Sequence, residues 1–184
     1  MSIKVAAFSG SLRKESYTTK LVKAFAAQTP AGAELELVEI GGLPLINQDL
    51  EQNLPASVQA LKAKVAAADA ILLATPEYNR SYSPVLKNAL DWGSRPGGQN
   101  SWNDKPVAIV SCTPYTLGAF GAAHHLRQVM VFLNMHPLQQ PEFYLGGAAD
   151  KFDADGKLTD EMTHKKIDET WAALIAWTER LRQK

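Results

Sequence analysis

Cysteine is almost absent from this chain of 184 residues: Cys112 stands alone. One thiol cannot close an intramolecular disulfide, which fits a reducing compartment. Charge of one sign is not in excess either, with 19 basic against 19 acidic residues. That argues against a broad basic face of the kind that holds nucleic acid, and against an acidic electron carrier that docks by charge. No apolar run approaches the roughly 20 residues needed to span a bilayer. The opening MSIKVAAFSGS has one lysine and a brief apolar run before it turns polar. It is too short for a signal peptide and reads as a first strand. These absences predict a soluble, cytoplasmic protein. Glycine is also scarce where a dinucleotide site would use it. The stretch after Phe8, SGSLRKES, holds Gly10 alone, so both the G-x-G-x-x-G fingerprint and the Walker A loop are missing.

What is present is an alternation of apolar strands and helical patterns. The length predicts one domain over residues 1–184, since single cores grow to about 250–300 residues before splitting. Ile3 to Phe8 reads as the first strand. Tyr17 to Gln28 is helical, with Leu21, Val22 and Phe25 on one face. Glu34 to Ile40 alternates as a second, more exposed strand. Pro55 opens the next helix, whose apolar positions are Val58, Leu61 and Val65. Ala70 to Ala74 is continuously apolar, as a strand covered on both faces should be. A short helix from Pro84 to Trp92, a fourth strand from Pro106 to Cys112 and a helix from Gly118 to Asn134 follow. A fifth strand is expected around Pro137 to Tyr144. The last helix runs from Thr159 to Gln183, with Thr159 as its cap. The loop from Gly93 to Lys105 reads as a connector or as a mobile loop beside a site. This βα alternation predicts a parallel sheet with helices on both faces, in either a Rossmann or a flavodoxin-like order.

In open α/β sheets ligands bind beyond the carboxyl ends of the strands, so the loops there decide function. The first is rich in hydroxyls: Ser9, Ser11 and Ser16, then Thr18 and Thr19 as the helix begins. Hydroxyls and free N–H groups at a helix N-terminus suit one terminal phosphate, such as FMN carries, and Arg13 can add charge-assisted donors. The same residues would also serve as plain helix caps. The loop after the third strand is TPEYNRSYSP. Pro76 stiffens the strand end, Tyr78 can place a ring beside a flavin, and the N–H groups of Glu77, Tyr78 and Asn79 can face ring nitrogens and carbonyls. An ordinary turn built on Pro76 and Asn79 is the other reading.

GSLRKES-Y at 10–17, PEYN at 76–79, LKNALDW at 86–92 and LRQV at 126–129 together resemble the NADPH-dependent FMN reductase family, which includes flavodoxin-like quinone, chromate and azo-dye reductases. The resemblance spans nearly the whole chain. It implies a flavodoxin-like three-layer sandwich with a five-stranded parallel sheet in the order 2-1-3-4-5. It implies that Ser11, Arg13 and Ser16 hold the FMN phosphate, with Tyr17 and Thr18 beside it. Thr18 stands where the family commonly has Asn. It implies that Pro76, Glu77, Tyr78 and Asn79 hold the isoalloxazine ring, and that Ser111 and Thr113 line its other edge and the ribityl chain. Departures from the family pattern include Arg80 after PEYN, and Tyr82 and Gly121 where substrate and a neighbouring subunit would meet.

The implied activity is an NAD(P)H oxidoreductase that passes electrons through FMN to quinones or other small acceptors in a ping-pong manner. NADPH or NADH is the expected co-substrate, and a homodimer or homotetramer the expected assembly. A 2′-phosphate would need a cation, with Arg13, Lys14, Arg80 and Arg95 as candidates. No catalytic side chain is required and no metal is expected. DKFDADGK looks like a calcium loop, but placing Gly156 sixth puts Lys151 first and Met162 last, where ligands belong. Asp155-Gly156 therefore reads as a turn. His124 and His125 are adjacent and face different directions, and Cys112 reads as a small buried residue. The rival function is a flavodoxin-type FMN carrier reduced by a protein partner. A flavin-free receiver-type module needs an acidic cluster after the first strand, which SGSLR lacks.

Overall fold

The computed structural model describes residues 2–183. Its elements are β1 (Ile3–Ser9), α1 (Tyr17–Ala27), β2 (Ala33–Leu37), α2 (Ala56–Ala67), β3 (Ala70–Thr75), α3 (Pro84–Gly93), β4 (Pro106–Cys112), α4 (Phe120–Phe132), β5 (His136–Pro137), β6 (Phe143–Leu145) and α5 (Glu161–Arg182). The strands are parallel and ordered β2-β1-β3-β4-β5, with β6 also paired to β4. This is the flavodoxin-like order.

Strand side chains alternate between two cores. Ala6, Phe8, Ile71, Leu73, Val107 and Ile109 face the layer of α2, α3 and α4. Val5, Ala7, Leu72, Ala74, Ala108 and Val110 face α1 and α5. Both β3 and β4 are buried along their whole length, which explains why they are apolar up to Thr75 and Ser111 at their carboxyl ends.

Three local expectations are corrected. The fifth strand is in two pieces, because Pro141 between them has no N–H to donate to a ladder. Asp160, not Thr159, caps the last helix: its carboxylate accepts the N–H of Thr163 at 2.9 Å. The helix expected from Gly118 starts only at Phe120, because Gly118 and Ala119 both have φ of 61°. The 94–105 connector is pinned to the core by Trp102, which is fully buried. Its indole donates to the Leu90 carbonyl at 2.9 Å and sits edge-on to Phe8 at 5.6 Å. A Cβ on Gly93 would collide with that indole. The Asp155-Gly156 turn forms as expected, with Gly156 at φ 78°.

Candidate functional site

The register sets Ser9 beside Ala74 and Thr75 beside Ser111. The loops after β1, β3 and β4 therefore leave the sheet edge side by side. The first is drawn in by the Gly10 N–H, which donates to the Ala74 carbonyl at 2.8 Å. A Cβ at Gly10 would lie 2.7 Å from Ser83 Oγ and 3.0 Å from Pro76 Cδ. Only glycine lets the first and second loops lie this close.

From Ser11 to Thr18, only the Arg13 N–H has a protein acceptor among the described residues, the Ser11 hydroxyl at a long 3.5 Å. The other N–H groups of this stretch, including those of Tyr17 and Thr18 at the start of α1, stay open. Ser16 caps α1 by accepting the Thr19 N–H at 3.1 Å, so the phosphate and capping readings describe the same loop. Ser9, Ser11, Arg13 and Thr19 line a cleft of about 200 Å³. Arg13 has no carboxylate within 4.0 Å among the described residues. Open N–H groups, hydroxyls and a free guanidinium at a helix N-terminus are what an anion needs. Tyr17 instead stacks on Phe152 at 6.3 Å. The Thr18 side chain is buried and lines no part of this cleft. The hydroxyl that does is Thr19, bonded to Ser9 at 2.8 Å.

The second loop is a two-residue hairpin. Tyr78 and Ser81 exchange backbone hydrogen bonds of 2.9 and 3.0 Å, and Asn79 and Arg80 have φ of 51° and 65°. Positive φ at both central residues matches a type I′ turn. The Tyr78 N–H is thus consumed inside the hairpin. The N–H groups of Glu77 and Asn79 have no protein acceptor among the described residues. Glu77 does more than its backbone suggested. Helix α4 begins at Phe120 with Ala119 as N-cap and no side-chain cap of its own. The Glu77 carboxylate supplies one from outside, accepting the Ala122 N–H at 3.0 Å and the Arg80 guanidinium at 3.0 Å. A carboxylate there also meets the positive end of the helix dipole. A Cβ on Gly121 would crowd this carboxylate at 3.1 Å. Ser81 Oγ makes a second clamp on α4 through His125 Nδ1 at 2.9 Å. Tyr82, expected at the rim, is buried, with its ring edge-on to His125 at 5.1 Å.

The third loop, 113–119, is held from behind. Ser111 is fully buried and its hydroxyl donates to the Gly118 carbonyl at 2.5 Å, so it braces the loop and exposes no surface to a ligand. The Thr113 N–H donates to the Leu145 carbonyl at 2.9 Å. Between this loop and the hairpin opens a cleft of about 430 Å³, lined by Glu77, Asn79, Arg80, Thr113, Tyr115 and Leu117. The expected residues Glu77, Asn79 and Thr113 therefore do meet. Tyr115 and Leu117 were not singled out in the sequence. They are 78% and 61% exposed, and aromatic and apolar residues in a loop beside a glycine were the available signal. Cys112 lies behind, buried, its thiol pushed up to about 12 by burial, so it stays protonated at neutral pH.

This fold and loop arrangement define a class: a flavodoxin-like protein with an anion-ready first loop beside an open cleft at the sheet's carboxyl edge. The model of the NADPH-dependent FMN reductase family matches residues 3–150. The chain is 49% identical over 158 residues to a quinone reductase of Pseudomonas putida, covering 85% of each chain. It is 47% identical to an NADPH:quinone oxidoreductase of Arabidopsis thaliana, over 99% of this chain and 95% of that one. Among solved structures, FerB, a flavoenzyme NAD(P)H:(acceptor) oxidoreductase from Paracoccus denitrificans, superposes with a TM-score of 0.90 at 40% identity, covering 97% and 98% of the two chains. The chain belongs to the NADPH-dependent FMN reductase family.

Proposed function

We propose that this chain binds FMN across the three loops and reduces quinones, and other small acceptors, at the expense of NADPH or NADH. The observation that carries it is the set of open N–H groups between Ser11 and Thr18, all but that of Arg13, set beside the cleft between the hairpin and the 113–119 loop. Ser11, Arg13, Ser16 and the first-turn N–H groups of Tyr17 and Thr18 would hold the phosphate. Ser9 and Thr19 would join them as hydroxyls of the same cleft. Pro76, Tyr78 and the open N–H groups of Glu77 and Asn79 would flank the ring, and Thr113 its far edge. Ser111 would act through the loop it braces. Bound there, FMN supplies two-electron chemistry between nicotinamide and acceptor. The chain's own task is to orient both partners, and no side chain need act as nucleophile or strong acid. The relatives' printed activities on quinones support the choice of acceptor class.

The chain is a single domain on this reading and works in the cytoplasm. No helix among the described residues is long and apolar enough to cross a membrane. Tyr78, Tyr115, Leu117 and Phe120 are exposed around the cleft, a set of apolar groups that a second copy would cover in a homodimer or homotetramer. The test is the visible spectrum of the purified protein before and after anaerobic NADPH, then NADH. A flavin band that bleaches with either is the expected result. A band that persists with both points to a carrier reduced by a protein partner. No band even after added FMN removes the cofactor and its site together.

A further inference from the structure

A second cleft, of about 550 Å³, lies beyond the 113–119 loop, between β6 and the start of α5. Thr116 lines both this cleft and the candidate site, so the two meet across one residue. Its lining includes Phe143 and Leu145 of β6, the backbone of Gly146 and Gly147, and three lysines, Lys151, Lys165 and Lys166.

The lysines are not equivalent. Lys151 is paired with Asp160 at 2.9 Å, and that carboxylate is also taken by the Thr163 N–H and hydroxyl. Lys165 is exposed and reaches Glu169 at 4.0 Å. Lys166 has no carboxylate within 4.0 Å among the described residues. It is half-buried, with its ammonium 5.2 Å over the Phe143 ring. Burial lowers its pKa, while Glu169 and Glu142 oppose that from longer range. Asp160 and Glu169 also line the cleft, but a partly desolvated ammonium with no carboxylate in contact is costly to keep, and an anionic ligand at Lys166 would lower the cost.

Two of the cations first considered for a 2′-phosphate are paired with carboxylates. Arg80 is bonded to Glu77 and Arg95 lies 3.7 Å from Glu51. Arg13 and Lys14 sit in the first loop, where the FMN phosphate is proposed to bind. We propose that the cleft between β6 and α5, through Lys166, holds the adenosine 2′-phosphate of NADPH while the nicotinamide occupies the neighbouring cleft. This rests on the reductase reading above and names a subsite for its co-substrate.

The test is titration calorimetry of the FMN-saturated protein with 2′,5′-ADP, 5′-AMP and inorganic phosphate. The wild type should bind 2′,5′-ADP about tenfold or more tightly than 5′-AMP, as expected for one charge-assisted contact. Lys166→Ala and Lys166→Gln should erase that preference, and Lys166→Arg should retain most of it. In steady state the KM for NADPH should rise about tenfold in Lys166→Gln, with kcat and the KM for NADH unchanged. Equal binding of the two nucleotides by the wild type, or a preference that survives in both charge-removing variants, overturns the proposal. So does inorganic phosphate binding as tightly as 2′,5′-ADP, which would mark a plain anion site. Unaltered NADPH kinetics in the variants would leave the reductase reading intact and remove only this subsite. If neither nicotinamide bleaches the flavin, the reductase reading falls while the titration still decides the subsite.

Discussion

Glu77 joins three things that the sequence lists separately: the hairpin, Arg80 and the first turn of α4. Its side chain is 13% exposed, so removing it leaves a donor with no acceptor, not merely one contact fewer. Truncation of a charged hydrogen-bonding group in such a place costs about 1.5–3 kcal/mol. Glu77→Ala should weaken FMN binding about tenfold or more, measured by fluorescence titration of the apoprotein. Glu77→Gln keeps an acceptor for Ala122 and should recover much of the loss. An alanine variant with wild-type affinity would show that the hairpin holds its shape without the clip. The motif PEYN pointed to this loop, but it could not tell backbone from side chain. Positive φ at Asn79 and Arg80 folds the Tyr78 N–H inward, and the length of a Glu side chain lets it reach a helix 45 positions later. Thr18 and Thr19 teach the same lesson. Both carry hydroxyls, and helix phase alone turns one into the core and the other towards Ser9.

At the scale of elements, α5 shows how a cap creates a pH dependence. Thr163, first by its hydroxyl, and then Lys151 hold the Asp160 carboxyl down at about 2, below its usual 3.8. A depressed carboxylate contributes stability that is present above its unfolded pKa and lost as pH falls through its folded one. Asp160→Ala should therefore destabilise the protein at neutral pH, by about 1 kcal/mol for a lost cap. The gap from wild type should narrow between pH 4 and pH 2, read from urea midpoints. A gap that stays constant with pH would assign the effect to packing. Thr159 and Asp160 are both competent caps by residue type, and only the helix start decides between them. The 94–105 connector is a second case. Its Gly, Pro and polar content reads as a loose segment, yet Trp102 fills the core against Phe8 and Gly93. Trp102→Ala should cost about 3–5 kcal/mol, within the range for emptying a large aromatic site, measured by denaturant unfolding. A loss under 1 kcal/mol would mean that the connector closes over the gap.

Across the whole molecule, the parallel sheet was legible because it follows from βα alternation and long apolar runs, but these left Rossmann and flavodoxin-like orders open, and the order 2-1-3-4-5 came only with the family resemblance. Ala70 to Thr75 and Pro106 to Cys112 are buried on both faces, and polar residues enter them only near their carboxyl ends, at Thr75 and Ser111. The fifth strand was less legible because its apolar residues fall in two short groups, parted by Gln139, Gln140, Pro141 and Glu142, where the ladder breaks. The placement of three loops at one edge was also legible, since topology alone brings the carboxyl ends of β1, β3 and β4 together. Which side chains point into the space between them was not, because that depends on turn type and on contacts distant in sequence. Tyr82 turned inward to His125 and Ser111 turned to the Gly118 carbonyl are two such cases.

The buried Trp102 has an optical consequence. Trp92 and Trp102 are both sealed from water, on the face of the sheet that carries α2, α3 and α4. Trp102 touches Phe8, the residue just before the strand end that opens the first loop. Indole emission overlaps the absorption of an oxidised isoalloxazine, so a flavin seated at that edge drains excitation from these two rings. The protein thus carries its own fluorescent gauge of occupancy, readable without a label as an indole emission that dims when the yellow cofactor arrives.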